Sequence, residues 1–366
     1  MNNSDLNYVF EDVDKLNEDG AILSEHSLSL VDEWIDTGSM ALNAICSGSL
    51  YRGIPQGRIT GIGGPSMCGK TFIMNQIIGN FQKKDPMRMG VVWDSEMAED
   101  ASAASSVGAD PTRIKHYPID SISHMRNQIL TFLRKVIETN TQGKFIIGID
   151  SLGNLSGSKE LSDAENDKNA TDMGTRAKEL KSMLRVITYI AAKAKTAVIF
   201  TNHIYSDPTA MYESIIKQQS GGRGPQYLAS LLVQLGVRPT EHDEKNEKDV
   251  MAVGARKYSG AILRAITAKN RFIPQYLETE LELNFKTGLQ KYGGLFELAK
   301  SFKVIEGEKS YTLGGEKLGY FSNWRDNDDI WNQILPELEK KINAEWRFSK
   351  TDYVNLKKQV DDIKND

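Results

Sequence analysis

Residues 64–71 form a complete phosphate-binding motif, and this motif limits the fold of the chain more than any other feature. The segment reads Gly-Pro-Ser-Met-Cys-Gly-Lys-Thr, which satisfies the pattern G-x-x-x-x-G-K-[ST], and it follows an apolar stretch at 58–62. Glycines let backbone N–H groups turn inward around phosphates, and the positive end of a following helix adds to the attraction. The sequence therefore predicts a strand, a phosphate-binding loop and a helix that begins near Thr71. The alternative is a chance match, which the strand and helix patterns on either side disfavour.

Two residues of this motif have side chains that suit ATP and Mg²⁺. The ammonium group of Lys70 is expected to neutralise the β and γ oxygens of the triphosphate, and the hydroxyl of Thr71 to bind the metal ion. The apolar segment 145–149 is typical of a buried strand, and it ends in Asp150. Beside a phosphate-binding loop, such a carboxylate is placed to support Mg²⁺. Without the loop, Asp150 would more often cap the following turn. The predicted metal-binding residues are therefore Thr71 and Asp150.

Two further strand ends direct polar side chains toward the same place. The segment 90–93 leads to Glu96, which is predicted to orient and deprotonate the attacking water. The segment 197–201 runs into His203, and a polar side chain at that junction can sense the γ-phosphate. The alternatives are a solvated carboxylate at the first position and an ordinary hydrogen-bonded histidine at the second.

Short apolar segments alternate with helix-length segments between residues 37 and 285, which indicates an α/β fold with a parallel sheet. The strand candidates are 58–62, 90–93, 145–149, 197–201, 231–237 and 261–267. Two long polar stretches, near 156–172 and 205–224, interrupt the pattern, and loops of this length within a domain are usually functional or disordered. Residues 1–36 are expected to form a small arm, and residues 286–366 a small α+β domain.

Length, charge and composition exclude several classes of protein. The chain has 366 residues, enough for one ATPase-sized domain and smaller parts. No apolar run approaches the roughly 20 residues of a membrane span, and the acidic N-terminus lacks the features of a signal peptide, so a cytoplasmic location without a membrane partner is expected. Cys46 and Cys68 are expected to be unpaired thiols, and the 5 histidines show no zinc-ligand spacing. Because the net charge is −4, any nucleic-acid binding must come from local basic clusters.

The order of these motifs resembles the core of the RecA recombinase family. The segments that carry the likeness are 35–39, 53–59, 64–71, 94–96, 150–151 and 221–222. Residues 149–155 and 201–205 resemble the UvsX branch of T4-like bacteriophages, and the likeness covers most of residues 35–345. It implies a RecA-like P-loop ATPase core with a mostly parallel central sheet over 37–285. It also implies that residues 1–36 are a polymerisation arm.

The resemblance agrees with the roles that the motifs give and assigns others. The nucleotide contacts it implies are Gly64, Pro65, Ser66, Met67, Cys68, Gly69, Lys70, Thr71, Asp100 and Asp150. Asp100 matches an acid that contacts adenine, whereas Ala103 stands where bacterial RecA has a stacking aromatic residue. Lys269 and Arg271 resemble cations that reach the ATP of a neighbouring subunit; considered alone, they are a solvated basic pair at a strand end. The implied catalytic residues are Glu96, Lys70, His203, Lys269 and Arg271.

Candidate DNA contacts lie in and after the two long polar stretches. Lys178, Lys181 and Arg185 share one face of a predicted helix, and such a stripe can follow phosphates. The second stretch mixes aromatic and basic residues with glycines, which suits single-stranded DNA. Its candidate contacts are Tyr205, Lys217, Gly221, Gly222, Arg223 and Tyr227. By resemblance, Lys178 and Arg185 touch the DNA backbone and Tyr227 relays DNA contact to the ATP site. The alternatives are a solvated helix face and a surface loop with incidental aromatic residues.

The sequence and the resemblance together predict a recombinase that uses ATP and Mg²⁺ and whose ATPase depends on single-stranded DNA. It is expected to form a filament on that strand and to exchange it with a homologous duplex in recombination and repair. The expected partners are single-stranded DNA, homologous duplex DNA, further copies of the chain, a single-stranded-DNA-binding protein and a recombination mediator. The C-terminal domain is expected to receive the incoming duplex. The alternatives are a helicase or motor with the same core, and an ATP-gated mediator that scarcely hydrolyses.

Overall fold

The computed structural model describes residues 8–21, 28–165, 173–205, 217–220, 224–238 and 260–347. The helices are α1 (Glu11–Leu16), α2 (Met40–Ser47), α3 (Lys70–Lys83), α4 (Ala101–Ser106), α5 (Ile122–Glu138), α6 (Ser158–Glu165), α7 (Met173–Lys193), α8 (Gly224–Leu228), α9 (Leu295–Ser301), α10 (Phe321–Trp324) and α11 (Asp328–Trp346). The strands are β1 (Trp34–Ile35), β2 (Ile54–Pro55), β3 (Ile59–Gly64), β4 (Met89–Asp94), β5 (Ile114–Pro118), β6 (Phe145–Asp150), β7 (Ala197–Tyr205), β8 (Gln218–Gln219), β9 (Leu231–Arg238), β10 (Gly260–Asn270), β11 (Glu278–Asn284), β12 (Gly288–Leu289), β13 (Ile305–Glu306), β14 (Tyr311–Leu313) and β15 (Glu316–Gly319).

The main sheet is mixed and its centre is parallel, which confirms the predicted α/β class. Its strand order is β12-β11-β10-β9-β3-β7-β6-β4-β5. All neighbours from β9 to β5 are parallel, whereas β10, β11 and β12 are added as antiparallel strands. Because parallel strands share one direction, the carboxyl ends of β3, β7, β6 and β4 lie next to one another at one edge. That edge is where open α/β sheets bind ligands.

Helices cover both faces of the sheet, so that the central strands are apolar on both sides. Alternate residues of one strand enter different cores: Ile146 packs in the cluster that includes α2 and α3, and Ile147 in the cluster that includes α5 and α7. The buried residues of α5 recur every three or four positions, the period of one helix face: Ile122, Met125, Ile129, Leu133 and Val136. No helix in the described ranges is long and apolar enough to cross a membrane.

The six predicted strands are present, and the described part of the main sheet has four further strands that were not predicted, β5, β8, β11 and β12. Edge strand β5 is mostly exposed and shows no apolar run. In β11, buried residues alternate with less buried ones, which is the pattern of a sheet with one face more covered than the other. The predicted irregular stretch near 156–172 contains helix α6, which is built largely from charged and small residues. Strand β7 continues to Tyr205 and pairs there with β8, so the second stretch begins as a β-structure.

The C-terminal residues form the expected α+β arrangement, with the sheet β13-β14-β15 and helix α11. They share one hydrophobic cluster with α2, α3 and the antiparallel strands. The carboxylate of Glu339 on α11 accepts hydrogen bonds from the hydroxyl of Ser49 and the backbone N–H of Leu50, both at 2.7 Å. Residues 286–347 are thus joined to the core by apolar packing and by polar contacts. The division of the chain at 36/37 and 285/286 stays a prediction.

Candidate functional site

The phosphate-binding motif forms the turn between β3 and α3. Gly69 and Met67 have φ values of 83° and 61°, in the left-handed region that a tight turn needs. A Cβ at Gly64 would lie 2.4 Å from the Cys68 sulfur, so only glycine fits beneath the loop. Lys70 is 7% exposed, and its ammonium group donates to the carbonyls of Pro65 at 2.8 Å and Gly64 at 3.3 Å. The cation therefore lies over the inside of the loop, where a phosphate would replace the two carbonyl partners.

The two cysteines are free thiols and both are buried, as expected from the sequence. Cys68 lies within the phosphate-binding loop itself. Burial raises the pKa of its thiol, although Lys70 opposes that shift. The sulfur is therefore a packing group under the loop, since thiol chemistry requires the thiolate.

Asp150, at the end of β6, is bonded to strand β7 and helix α3 at the point where Mg²⁺ was predicted. One carboxylate oxygen accepts from the Thr71 hydroxyl at 2.5 Å, and the other from the Thr201 hydroxyl. The side chain is 2% exposed. Burial raises the pKa of Asp150, the two hydroxyl donors oppose the shift, and the charges of Glu96 and Asp94 add to it. A buried carboxylate that neighbouring acids repel fits a divalent cation, which would compensate the negative charge. Thr201 was not foreseen, although its place at the end of β7 could have suggested it.

Glu96 follows β4, and its carboxylate contacts two side chains, one directly after β6 and one on β7. Its Oε1 accepts from the hydroxyl of Ser151 at 2.6 Å, and it lies 3.2 Å from Nε2 of His203. The geometry thus brings together two residues predicted from separate strand ends. Ser151 is fully buried and was not predicted as a site residue. Its only sequence signal was its position directly after Asp150.

His203 also connects the site to the second long stretch. Its carbonyl accepts the backbone N–H of Ser220 at 3.0 Å, and the side chain of the preceding Asn202 donates to the Ser220 carbonyl at 2.8 Å. His203 therefore contacts the Glu96 carboxylate through its side chain and Ser220 through its backbone, so a movement of His203 can affect both. The predicted contacts Gly221, Gly222 and Arg223 lie outside the described residues.

Asp100 lies close in sequence to Glu96, and in the structure it is the N-cap of α4. Its side chain caps α4 by accepting the backbone N–H of Ala103 at 2.9 Å. The cap fixes the start of the helix that carries Ala103. The predicted adenine contact of Asp100 stays a prediction.

Lys269 and Arg271 lie at the opposite edge of the sheet from the phosphate-binding loop of their own chain. This follows because β10 is antiparallel to β9, and its last residues pair with the start of that strand. The ammonium group of Lys269 donates to the carbonyls of Gln226, at 3.0 Å, and Tyr227. Burial, and the charge of Arg271 next, lower the pKa of Lys269 to about 8. The structure thus places the predicted cation beside the predicted DNA relay, Tyr227.

The basic stripe is exposed along α7, with Lys178, Lys181 and Arg185 all in contact with solvent. Arg176, two residues before Lys178, makes structural contacts instead: it donates to the carbonyls of Leu155 at 2.8 Å, Gly153 at 2.5 Å and Leu152 at 3.2 Å. It thereby holds the turn that follows Asp150 and Ser151.

Three of the predicted contacts of the second stretch lie in the described residues. Tyr205 and Tyr227 are both 58% exposed, while Lys217 is partly buried beside β8. Helix α8, which carries Tyr227, packs on α7, and a Cβ at Gly224 would lie 3.1 Å from that of Lys181. The exposed cations of α7 and the exposed Tyr227 therefore lie on two helices that pack against each other.

Glu99 is a further acid of the site that the sequence did not single out. Burial raises its pKa to about 7; the hydrogen bond from Asn75 opposes the shift, and Asp150 and Asp94 add to it. The bond from the Asn75 amide is 2.7 Å long. The other carboxylate oxygen, Oε2, is buried without a hydrogen-bond partner.

We expect Glu99→Gln to stabilise the nucleotide-free protein in a pH-dependent manner. Because the native carboxyl binds its proton more tightly than the unfolded one, the contribution of Glu99 to the free energy of unfolding falls as pH rises from about 4.5 to about 7. Glutamine does not titrate, so the Tm difference between variant and natural chain should grow from pH 5 to pH 8. Glu306→Gln, which changes an exposed acid, is the control. A Tm difference that is constant with pH would contradict the expectation.

Comparison with known proteins adds the following similarities. The family model of the RecA N-terminal domain matches residues 4–290. A recombination and repair protein of Enterobacteria phage T4 is 28% identical over 295 residues, which cover 78% of this chain and 70% of that protein. The RecA protein of Wolinella succinogenes is 27% identical over 347 residues, covering 93% and 92%. That of Nitratiruptor sp. is 27% identical over 345 residues, with the same coverage.

Proposed function

Because this chain belongs to the RecA family, we propose that it is a recombinase that assembles on single-stranded DNA with ATP and pairs that strand with a homologous duplex. The relatives named RecA or recombination and repair protein support a RecA-type recombinase. Members of this family use ATP with Mg²⁺, and their ATPase depends on DNA. The dependence on a single strand, the filament and the exchange step are the parts that we propose for this chain.

The observation that carries the proposal is the contact between Glu96 and His203 at 3.2 Å. It joins the predicted catalytic carboxylate to the strand that leads into a predicted DNA-binding segment. A γ-phosphate beside His203 would compete for this hydrogen bond and free the carboxylate of Glu96 for water. The nucleotide state and the DNA-binding segment would thereby be coupled through one side chain.

In this proposal the loop at 64–71 and the side chain of Lys70 bind the phosphates of ATP. Thr71 and Asp150 would hold Mg²⁺, which neutralises charge on the phosphate oxygens when bound. Glu96 accepts the proton of the attacking water. The hydroxyl of Ser151 keeps Oε1 of Glu96 in place, and Thr201 fixes the Asp150 carboxylate.

Lys269 and Arg271 cannot serve the nucleotide of their own chain if ATP binds at the opposite edge of the sheet. We propose that they reach the ATP of a neighbouring copy, so that hydrolysis requires assembly. The short helix α1 supports self-assembly, since it buries none of its residues in the protomer. Val13 and Leu16 of the helix, and Val9 and Phe10 just before it, are exposed. A single-stranded-DNA-binding protein and a mediator, acting in the cytoplasm of a bacterial host, complete the proposal.

The stripe on α7 gives a prediction about salt dependence. Each phosphate contact to single-stranded DNA contributes about 0.7 to the slope of log Kobs against log salt concentration. We therefore expect the double variant Lys178→Ala, Arg185→Ala to make this slope less negative by about 1.4, measured by fluorescence anisotropy with a labelled oligonucleotide. The double variant Arg134→Ala, Lys135→Ala on α5 removes the same charge from another exposed surface. If both double variants changed the slope equally, the basic residues of α7 would not be specific contacts of the DNA.

The proposed function is tested by ATP turnover with and without single-stranded DNA. Turnover that rises with the strand, together with filaments in electron microscopy, is the expected result. Strand exchange that requires homology separates the recombinase from a helicase, which unwinds heterologous duplexes as well. Absent turnover under both conditions would favour a mediator and overturn the proposal.

A further inference from the structure

Asp94, the last residue of β4, has a carboxylate that is surrounded by donors. Its side chain is 1% exposed. Oδ1 accepts the backbone N–H groups of Glu96 at 2.9 Å and Met97 at 2.8 Å. Oδ2 accepts the N–H of Glu99 at 3.0 Å and lies 3.2 Å from Nε2 of His116 on the neighbouring strand β5. The turn that carries Glu96 is therefore wrapped around one buried negative charge.

These contacts define what Asp94 can do. Four donors occupy its two oxygens, so the carboxylate has little capacity left for a metal ion or a nucleotide. The turn itself needs support, because Met97 adopts a φ of 53°, which costs free energy in a residue with a side chain. Charge-assisted bonds to successive N–H groups are strong and short, and they select one conformation of such a turn.

We propose that Asp94 is a positioning residue for Glu96, and that His116 fixes Asp94 from the adjacent strand. The contact chain runs from His116 through the Asp94 carboxylate to the backbone of Glu96, whose side chain then meets Ser151 and His203. A displacement of a reacting group by about 1 Å can cost roughly 100-fold in rate. The proposal rests on the proposed role of Glu96 in ATP hydrolysis. It adds Asp94 and His116 as the residues that orient the Glu96 carboxylate.

The test is Asp94→Asn in the full chain, with ATP turnover measured at saturating single-stranded DNA. Asparagine keeps one acceptor for the N–H groups of Glu96 and Met97 but directs an NH₂ group at the N–H of Glu99. We expect kcat to fall about 10- to 100-fold, while KM and the Kd of a fluorescent ATP analogue change less than about threefold. Asp110→Asn is the matched control. It alters a carboxylate that accepts a backbone N–H from Thr112 in the same β4–β5 connection, and it should leave turnover unchanged.

Combining Asp94→Asn with Glu96→Gln distinguishes a loss of Glu96 positioning from a general disturbance of the site. If Asp94 acts through Glu96, adding Asp94→Asn to Glu96→Gln should lower kcat by less than about twofold, because interacting residues are not additive. An equal loss of kcat in both backgrounds, or a Kd that weakens as much as kcat falls, would overturn the proposal. Full turnover in Glu96→Gln alone would instead refute the proposed role of Glu96.

A second variant covers the case in which Asp94→Asn does not fold. His116→Phe removes one donor to Asp94 and keeps a ring on the partly exposed face of β5. We expect kcat to fall about 3- to 10-fold with KM unchanged, less than for Asp94→Asn because three of the four donors remain. Unchanged kcat in a folded His116→Phe variant would show that His116 does not help to position Glu96, and it would overturn that part of the proposal. Circular dichroism and Tm confirm the fold of each variant.

Discussion

Replacing Lys70 with alanine should abolish ATP binding at concentrations that saturate the natural chain. Loss of one partner from a buried, hydrogen-bonded charge pair costs about 2–5 kcal/mol, which is roughly 30- to 5,000-fold in Kd. The ammonium group of Lys70 lies over the loop, within 3.3 Å of two of its carbonyls. No other cation is contributed by the loop sequence 64–71. A titration with a fluorescent ATP analogue measures the effect, and ATP-dependent DNA binding should be lost with it.

The control for this variant is Lys83→Ala at the other end of the same helix. Lys83 is exposed and bonds to the side chain of Asn80, so its loss changes the net charge equally without touching the loop. Similar Kd values for the two variants would mean that Lys70 does not contact phosphates.

Replacing Glu96 with glutamine should leave ATP binding intact and stop turnover. Glutamine keeps an oxygen for the hydroxyl of Ser151 and for His203, but it cannot accept a proton from water. Loss of a general base costs about 100- to 10,000-fold in rate. Phosphate release at saturating single-stranded DNA should fall by that factor, while the Kd for nucleotide stays within about twofold.

The same variant should stabilise the assembled state. If hydrolysis releases the filament, Glu96→Gln filaments formed with ATP should persist in electron microscopy after the natural chain has disassembled. Phosphate release at the natural rate would contradict the assignment of Glu96. Prompt disassembly despite blocked hydrolysis would contradict the link between turnover and release.

Much of this site could be predicted because its residues follow strands. The apolar segments at 58–62, 90–93, 145–149 and 197–201 are buried on both faces, and their patterns locate the strand ends within a few residues. Parallel strands then place those ends at one edge, whatever their order. For that reason Lys70, Asp150, Glu96 and His203 could be grouped before the structure was known.

Other features could not be predicted because they depend on which strands are neighbours. Sequence order does not reveal that β6 lies between β4 and β7, and only that order brings Ser151 and His203 onto one oxygen of Glu96. The burial of Glu99, which raises its pKa, and the opposing hydrogen bond from Asn75 of α3 likewise depend on tertiary packing. The exposed edge strand β5 shows no apolar run at all, yet it supplies His116.

The sequence by itself determined the phosphate-binding loop, the parallel core and the polar residues at the strand ends, since these follow from local patterns and from the common direction of parallel strands. Only the tertiary structure decided how those residues are held. It placed His116 of β5 beside Asp94, directed Lys269 to the opposite edge, and packed residues 286–347 onto α2. The physical reason is that hydrogen bonds and burial depend on distances between segments far apart in the chain. Crossover connections and core packing set those distances.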